Sequence, residues 1–284
     1  MTAALQQSRQ SWHSANQQFL TQALAQVRQA LLKHSGTKSD LAEPDLETID
    51  GGYTEQPFAL ELLSRCFGLT EFEKNVLLLC AGMELDGQWS NLCQAAGGSA
   101  YPTLGLALSL FENATWGALT PSAALRRYQL IEIGAGNALT ASPLRTDERV
   151  LHYLTGVQYL DQRLQPLMRS VQASSPLVPS HQSLIDKIEH AWTQSLANSL
   201  LPVIQLIGEA GASLRTVALA TCRRLSLELQ ELSAEALPTD WQQLKTLQTL
   251  CEREYRLSRM AILLNCEDLE AEGAERRSAI ATFI

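Results

Sequence analysis

Apolar residues recur at helical spacing through the first 35 positions and then stop abruptly. Leu20, Leu24, Val27 and Leu31 step by 4, 3 and 4 and share one stripe, which Trp12 and Phe19 extend toward the N-terminus. The spacing predicts an amphipathic helix of about 20–25 residues within 1–35. Its stripe either packs on its own domain or docks a partner in the manner of a short coiled-coil seam. Residues 36–56 then lose the pattern. Asp40, Glu43, Asp45, Glu47, Asp50 and Glu55 face a single Lys38, and Pro44, Gly51 and Gly52 break the backbone. That composition predicts an exposed acidic linker.

Helical periodicity resumes at Phe58–Phe67 and ends at Gly68. Thr70 followed by Glu73 is a capping box for a helix over Glu71–Leu85, with Val76, Leu77, Leu79 and Cys80 on its buried side. Further helices are predicted over Gln88–Ala96, from Pro102 through Phe111, and from Pro121 to about Arg126. Tyr128–Ile133 alternates as a strand, Gly134–Asn137 is a turn, and Ala138–Ala141 is expected to pair back. Thr146, Asp147 and Glu148 open a last helix through Tyr153. Helices followed by a two-stranded hairpin are the order of a winged-helix domain, assigned here to 57–170.

Such domains often read DNA through a helix in the major groove. The candidate recognition helix, Thr103–Phe111 (TLGLALSLF), carries no Arg, Lys, Asn or Gln to reach a base edge. Arg126, Arg127 and Arg145 form the nearby cationic cluster. The expected partners are therefore proteins, and nucleic acid is the alternative.

Beyond a Ser/Pro linker at 171–182, one more helix spans Leu184–Leu196 and the rhythm becomes β-α-β-α-β. Strands are expected at 203–207, around Leu227–Leu232 and at Met260–Asn265, with helices at about 214–226 and 240–258. Alternation of this kind predicts a parallel sheet in 183–284. The overall class is mostly α with an α/β C-terminal part: a winged-helix-like domain followed by an incomplete P-loop parallel sheet.

The P-loop reading rests on Pro202–Thr216 (PVIQLIGEAGASLRT), an apolar run, a small-residue turn and a helix start. A working loop reads G-x-x-x-x-G-K-[ST], because backbone amides cradle phosphate, Lys neutralises charge and the hydroxyl holds magnesium. Aligned on Gly208, Ser213 stands at the second Gly, Leu214 at the Lys and Arg215 at the hydroxyl residue. A one-residue shift would make Arg215 and Thr216 the Lys-[ST] pair. The acidic strand end is also altered, with Asn265 and Cys266 where two carboxylates are needed, and Glu267 and Asp268 lying beyond. Gly208, Gly211, Arg215, Thr216, Asn265 and Asp268 are thus the candidate residues of a vestigial nucleotide site. No residue is assigned a catalytic role. At most weak ATP or ADP binding by the remaining backbone amides is expected, with no cofactor required.

Charge and cysteine usage fit this picture. The formal net charge is -8, with a pI near 5.2, which opposes binding to polyanions. Six cysteines form no C-x-x-C pair and five histidines show no H-E-x-x-H, so no metal site is predicted. No run approaches the roughly 18 apolar residues of a membrane span, and the N-terminus lacks an apolar signal core. A reducing cytoplasm is the expected location.

The segments GLTEFEKNVLLLCAGMELD (Gly68–Asp86), YPTLGLALSLF (Tyr101–Phe111), ALTPSAALRRYQLIEIG (Ala118–Gly134) and LTASPLRTDERVLHYLTG (Leu139–Gly156) resemble bacterial AAA+ ATPases encoded beside phage-tail-like contractile injection systems. Those proteins carry a variant winged-helix domain before tandem AAA modules. The resemblance implies that Gly208–Gly211 and Ala261–Asp268 belong to a degenerate first module, followed by a competent second one not contained in this chain. It implies an N-terminal fragment of an ATP-binding protein that oligomerises at full length, with further AAA modules among its partners.

Overall fold

The computed structural model describes residues 2–36, 56–172, 176–197, 203–208, 211–267 and 273–284. Most of the predicted acidic linker, residues 37–55, and part of the Ser/Pro linker, 173–175, lie outside the described residues. The chain divides into two compact units, Met1–Tyr159 and Leu160–Ile284.

The first unit is built on one long helix, α1 (Thr2–His34), longer than the apolar stripe alone requires. A Gln- and Ala-rich stretch continues it on the N-terminal side, since neither residue resists helix formation. Its stripe faces inward: Leu20, Val27 and Leu31 are buried, and Phe19 stacks on Phe58 with ring centroids 4.5 Å apart. Asn16, in the same stripe, is 1% exposed. Its Nδ2 donates to the Leu154 carbonyl at 3.0 Å, and its Oδ1 accepts from Ala59 N–H at 2.9 Å. Of the two roles the stripe allowed, the structure uses it to complete the fold of its own unit.

Three helices pack behind it: α2 (Ala59–Phe67), α3 (Glu71–Leu85) and α4 (Trp89–Gly97). Helix α2 stops at Gly68, whose φ of 65° lies in the left-handed region that a Cβ disfavours. Helix α3 begins with the predicted capping box. Glu73 N–H donates to Thr70 Oγ1 at 3.2 Å, and Thr70 N–H donates to Glu73 Oε2 at 2.9 Å. Thr70→Ala should cost about 1 kcal/mol, measurable as a lowered urea midpoint at unchanged slope. Val76 through Ala81 are buried without a gap, so α3 is the unit's central helix. At Gly82 it approaches α4 so closely that a Cβ would stand 2.5 Å from the Trp89 ring.

The rest of the unit comprises α5 (Leu104–Leu110), α6 (Ala124–Arg127), the strands β1 (Ile131–Ile133) and β2 (Leu144–Thr146), and α7 (Glu148–Leu154). The predicted strand Tyr128–Ile133 shrinks to its last three residues. Ala138–Ala141 does not pair back. Residues 139–141 form a 3₁₀ turn, and β2 takes the pairing, with Ile131 opposite Thr146 and Ile133 opposite Leu144. The reason is burial. Leu144 and Thr146 alternate inward around exposed Arg145, whereas none of residues 138–141, Leu139 included, is buried. Asp147 caps α7, accepting from the N–H groups of Arg149 and Val150.

The second unit centres on a three-stranded sheet of order β3-β4-β5: β3 (Met168–Ser170), β4 (Glu228–Ser233) and β5 (Met260–Asn265). It is mixed rather than parallel. Strands β4 and β5 pair in parallel through the crossover helix α10 (Trp241–Ser258), while β3 adds antiparallel to β4. Alternation along the strands sorts two faces. Leu229 and Ala261 face Leu219 and Cys222 of α9 (Gly211–Arg224). Leu232 and Met260 face Leu244, Leu247 and Leu250 of α10, together with Ala279 of α11 (Ala274–Phe283).

The strand expected at 203–207 is not in this sheet. Residues 203–208 form no regular element. Ile204 and Leu206 instead pack beside Ile185 and Ile188 of α8 (Pro179–Ala197) and Val217 of α9, while Val203 and Ile207 are exposed. The apolar run at 203–207 predicts a strand, and only Ile204 and Leu206 of it are partly covered. Helices supply the cover, so the run does not require a strand partner.

Candidate functional sites

In the first unit, an isolated antiparallel bridge between Thr103 and Pro143 adds a third short arm to the β1–β2 hairpin. Thr103 also caps α5, its Oγ1 accepting from Leu106 N–H at 3.1 Å. Two helices, α5 and α6, therefore lie between this arm and the hairpin. The helix that leads directly into the wing is α6, not the Thr103–Phe111 segment taken from sequence as the recognition helix. The sequence predicted a short helix from Pro121 to about Arg126 at this place, and α6 keeps a single turn of it.

Of the three arginines singled out from sequence, Arg126 and Arg127 end α6 and Arg145 lies on β2, and each has a protein partner. Arg126 Nη1 donates to the Leu119 carbonyl at 2.9 Å. The Arg127 guanidinium lies over the Tyr128 ring, 5.0 Å from its centroid. Arg145 Nε donates to Glu84 Oε1 at 3.0 Å. The wing, residues 134–143, contains no charged residue at all. It is folded tightly: Ser142 Oγ donates to the Ala138 carbonyl, and a Cβ on Gly136 would stand 2.5 Å from that hydroxyl. DNA affinity depends on Lys and Arg aimed at phosphates, and here each arginine already has a partner within the protein, Arg145 in an ion pair at the surface.

In the second unit, the candidate nucleotide residues are only partly assembled. Gly208 is exposed, and Gly211 begins α9. Arg215, one turn into α9, lies on the sheet face that carries Glu231. Its Nε and Nη2 donate to Glu231 Oε1 at 3.0 and 2.9 Å, and Nη2 also donates to Glu267 Oε2 at 2.9 Å. Hydrogen bonds to Glu231, then to Glu267, push the Arg215 pKa further above its ordinary value. Thr216 is 3% exposed, and its hydroxyl donates to the Ala212 carbonyl at 2.9 Å. It is thereby committed to the helix backbone. Asn265, at the end of β5, accepts from Glu267 N–H at 2.9 Å. Asp268 lies outside the described residues.

Glu231 escaped the sequence reading. The available signal was alternation in β4, which puts residues 229 and 231 on the face that α9 covers. The two glycines also have close neighbours. A Cβ on Gly208 would stand 3.2 Å from Leu214, and one on Gly211 would collide with the Glu267 carboxylate.

No group of three or more His, Cys, Asp or Glu suited to a metal ion occurs among the described residues. The thiols of Cys93 and Cys222 are pushed up to about 11 and that of Cys251 to about 12, by burial first. They stay protonated and are not nucleophiles at neutral pH. Among the described residues, no helix is long and apolar enough to cross a membrane.

Helices α3, α5 and α6 with a three-armed hairpin define a winged-helix fold. The family model described as a winged helix domain, variant, matches residues 6–168, more than half of the chain, and the protein belongs to that family. Neither a curated protein nor a solved structure matches the chain.

Proposed function

We propose that the chain is a regulatory or scaffolding part of an AAA+ ATP-binding protein, acting through protein contacts and hydrolysing no nucleotide itself. The observation that carries the first half is the engagement of Arg126, Arg127 and Arg145 beside a wing with no charge. A winged-helix face of this kind suits a protein surface better than a phosphate backbone, and the net charge of -8 reinforces that choice.

The AAA+ assignment is supported by the resemblance of Gly68–Asp86, Tyr101–Phe111, Ala118–Gly134 and Leu139–Gly156 to the ATPases of contractile injection systems. The parallel β4-α10-β5 crossover downstream of the winged helix is compatible with it. Absence of hydrolysis is supported by Leu214 at the Lys position, Asn265 and Cys266 at the acidic positions, and a Thr216 hydroxyl held by the backbone. Losing both the phosphate-neutralising Lys and the metal-ordering carboxylate removes terms that supply orders of magnitude in rate.

Two measurements on the purified chain test the proposal. Phosphate release from MgATP should not exceed the buffer rate, and duplex DNA should show no mobility shift at low salt. A shift lost on combined Arg126→Ala and Arg127→Ala substitution would instead establish a DNA-binding regulator.

A further inference from the structure

We infer that Arg215, Glu231 and Glu267 form an internal clasp, which fastens the start of α9 to β4 and to the end of β5 without any ligand. The inference rests on the proposed reading of the second unit as a module that does not turn over nucleotide. In a phosphate-binding loop, the bound anion joins a helix N-terminus to neighbouring strand ends. Here that join is made by side chains of the chain itself.

Three elements meet at one guanidinium. Arg215 sits in the first turns of α9. Glu231 projects from β4 on the face that α9 covers, and its side chain is 18% exposed. Glu267 follows β5 and is fixed in direction by its N–H bond to Asn265 Oδ1. The planar fork of arginine reaches two carboxylates at once, and lysine, a single point donor on a flexible stem, does not reproduce this.

Gly211 is part of the same device. With no side chain, it leaves the space in which the Glu267 carboxylate stands, and any Cβ there would displace that carboxylate. Leu214, at the position where a working loop has Lys, folds back toward Gly208 instead. Arg215, which stands at the hydroxyl position of a working loop, is also the residue that joins the clasp. One consequence is that the conformation of this unit does not respond to nucleotide.

The test is hydrogen exchange on the full chain, read by mass spectrometry over peptides covering 211–218 and 260–267, with and without MgATP. In the unmodified protein, exchange in both peptides should be unchanged by MgATP. In Arg215→Ala, both should exchange about tenfold faster or more, as expected for loss of partly buried charged hydrogen bonds. Arg215→Lys should recover only part of the protection. Glu231→Gln and Glu267→Gln should each loosen its own strand end, and peptides from the first unit serve as a folding control.

Unchanged exchange in a folded Arg215→Ala protein would overturn the clasp. Protection of 211–218 by MgATP in the unmodified protein would overturn it as well, since ligand would then be doing the joining. Measured ATP turnover, by contrast, would sink the functional reading, so the two failures are distinguishable.

Discussion

Asp161→Ala should lower the stability of the second unit by about 3–5 kcal/mol, the largest effect expected from a single substitution there. Asp161 is 1% exposed, and its partner Arg253, on α10, is fully buried. The two are joined by a short hydrogen bond from Arg253 Nη2 to Asp161 Oδ2. Arg163 adds three more bonds to the same carboxylate, from its backbone N–H at 2.8 Å, its Nε at 2.9 Å and its Nη2 at 2.7 Å. Removing the carboxylate breaks the ion pair of a fully buried guanidinium, on the helix whose Leu244, Leu247 and Leu250 line this core. The thermal midpoint of this unit should fall by roughly 10 °C or more.

A double replacement, Asp161→Leu with Arg253→Met, should recover most of the loss, because apolar groups of similar volume can replace a buried pair at little cost. Failure of the double variant to exceed Asp161→Ala would show that the bonds to Arg163, and not the broken pair with Arg253, dominate.

The pH dependence has a definite sign. Burial alone would raise the Asp161 pKa. The hydrogen bonds from Arg163 and the charge of Arg253 prevail and hold it below the ordinary value. A carboxylate with a depressed folded pKa contributes stability that is fully present above its unfolded pKa, near about 4. That contribution is lost as pH falls through the lower folded value. The same unit carrying Asp161→Asn should therefore show a flatter acid limb in its stability profile.

Neither Asp161 nor Arg253 stood out in the sequence, and the reason shows what sequence patterns carry. Local rules found Thr70 with Glu73, Gly68, the α3 core run and the bounds of β5, because each depends on neighbours within a few residues. Asp161 and Arg253 are 92 positions apart. Arg215 and Glu267 are 52 apart, and the sequence offered each only as a motif position, not as the other's partner.

The P-loop frame was misjudged in a related way. Val203–Ile207 has the composition of a strand, but a strand requires a ladder partner, and this segment covers one face with α8 and α9 instead. Residues 138–141 predict the return strand, but Leu144 and Thr146 are the residues that bury a face, and they take the pairing. At the winged-helix surface the sequence names Arg126, Arg127 and Arg145, while their contacts with Leu119, Tyr128 and Glu84 are visible only in three dimensions.

Asn16→Leu should destabilise the first unit by about 2–4 kcal/mol, with the damage centred on the seat of α1. The side chain is fully enclosed and uses both ends of its amide, donating to Leu154 and accepting from Ala59. Leucine has a similar volume but satisfies neither group, so a buried N–H and a buried carbonyl lose their partners together. Deleting residues 1–35 should go further. Phe58, buried under Phe19, would be uncovered along with the surfaces of α3, α4 and α5 that α1 covers. The first unit should then lose cooperative unfolding rather than merely shift its midpoint. Near-ultraviolet circular dichroism and a thermal melt would read both outcomes. A truncated protein that melts cooperatively at the original temperature would return α1 to the status of a detachable docking helix. The expected result makes α1 a structural wall of the winged-helix unit, so partners must engage the surfaces it leaves open.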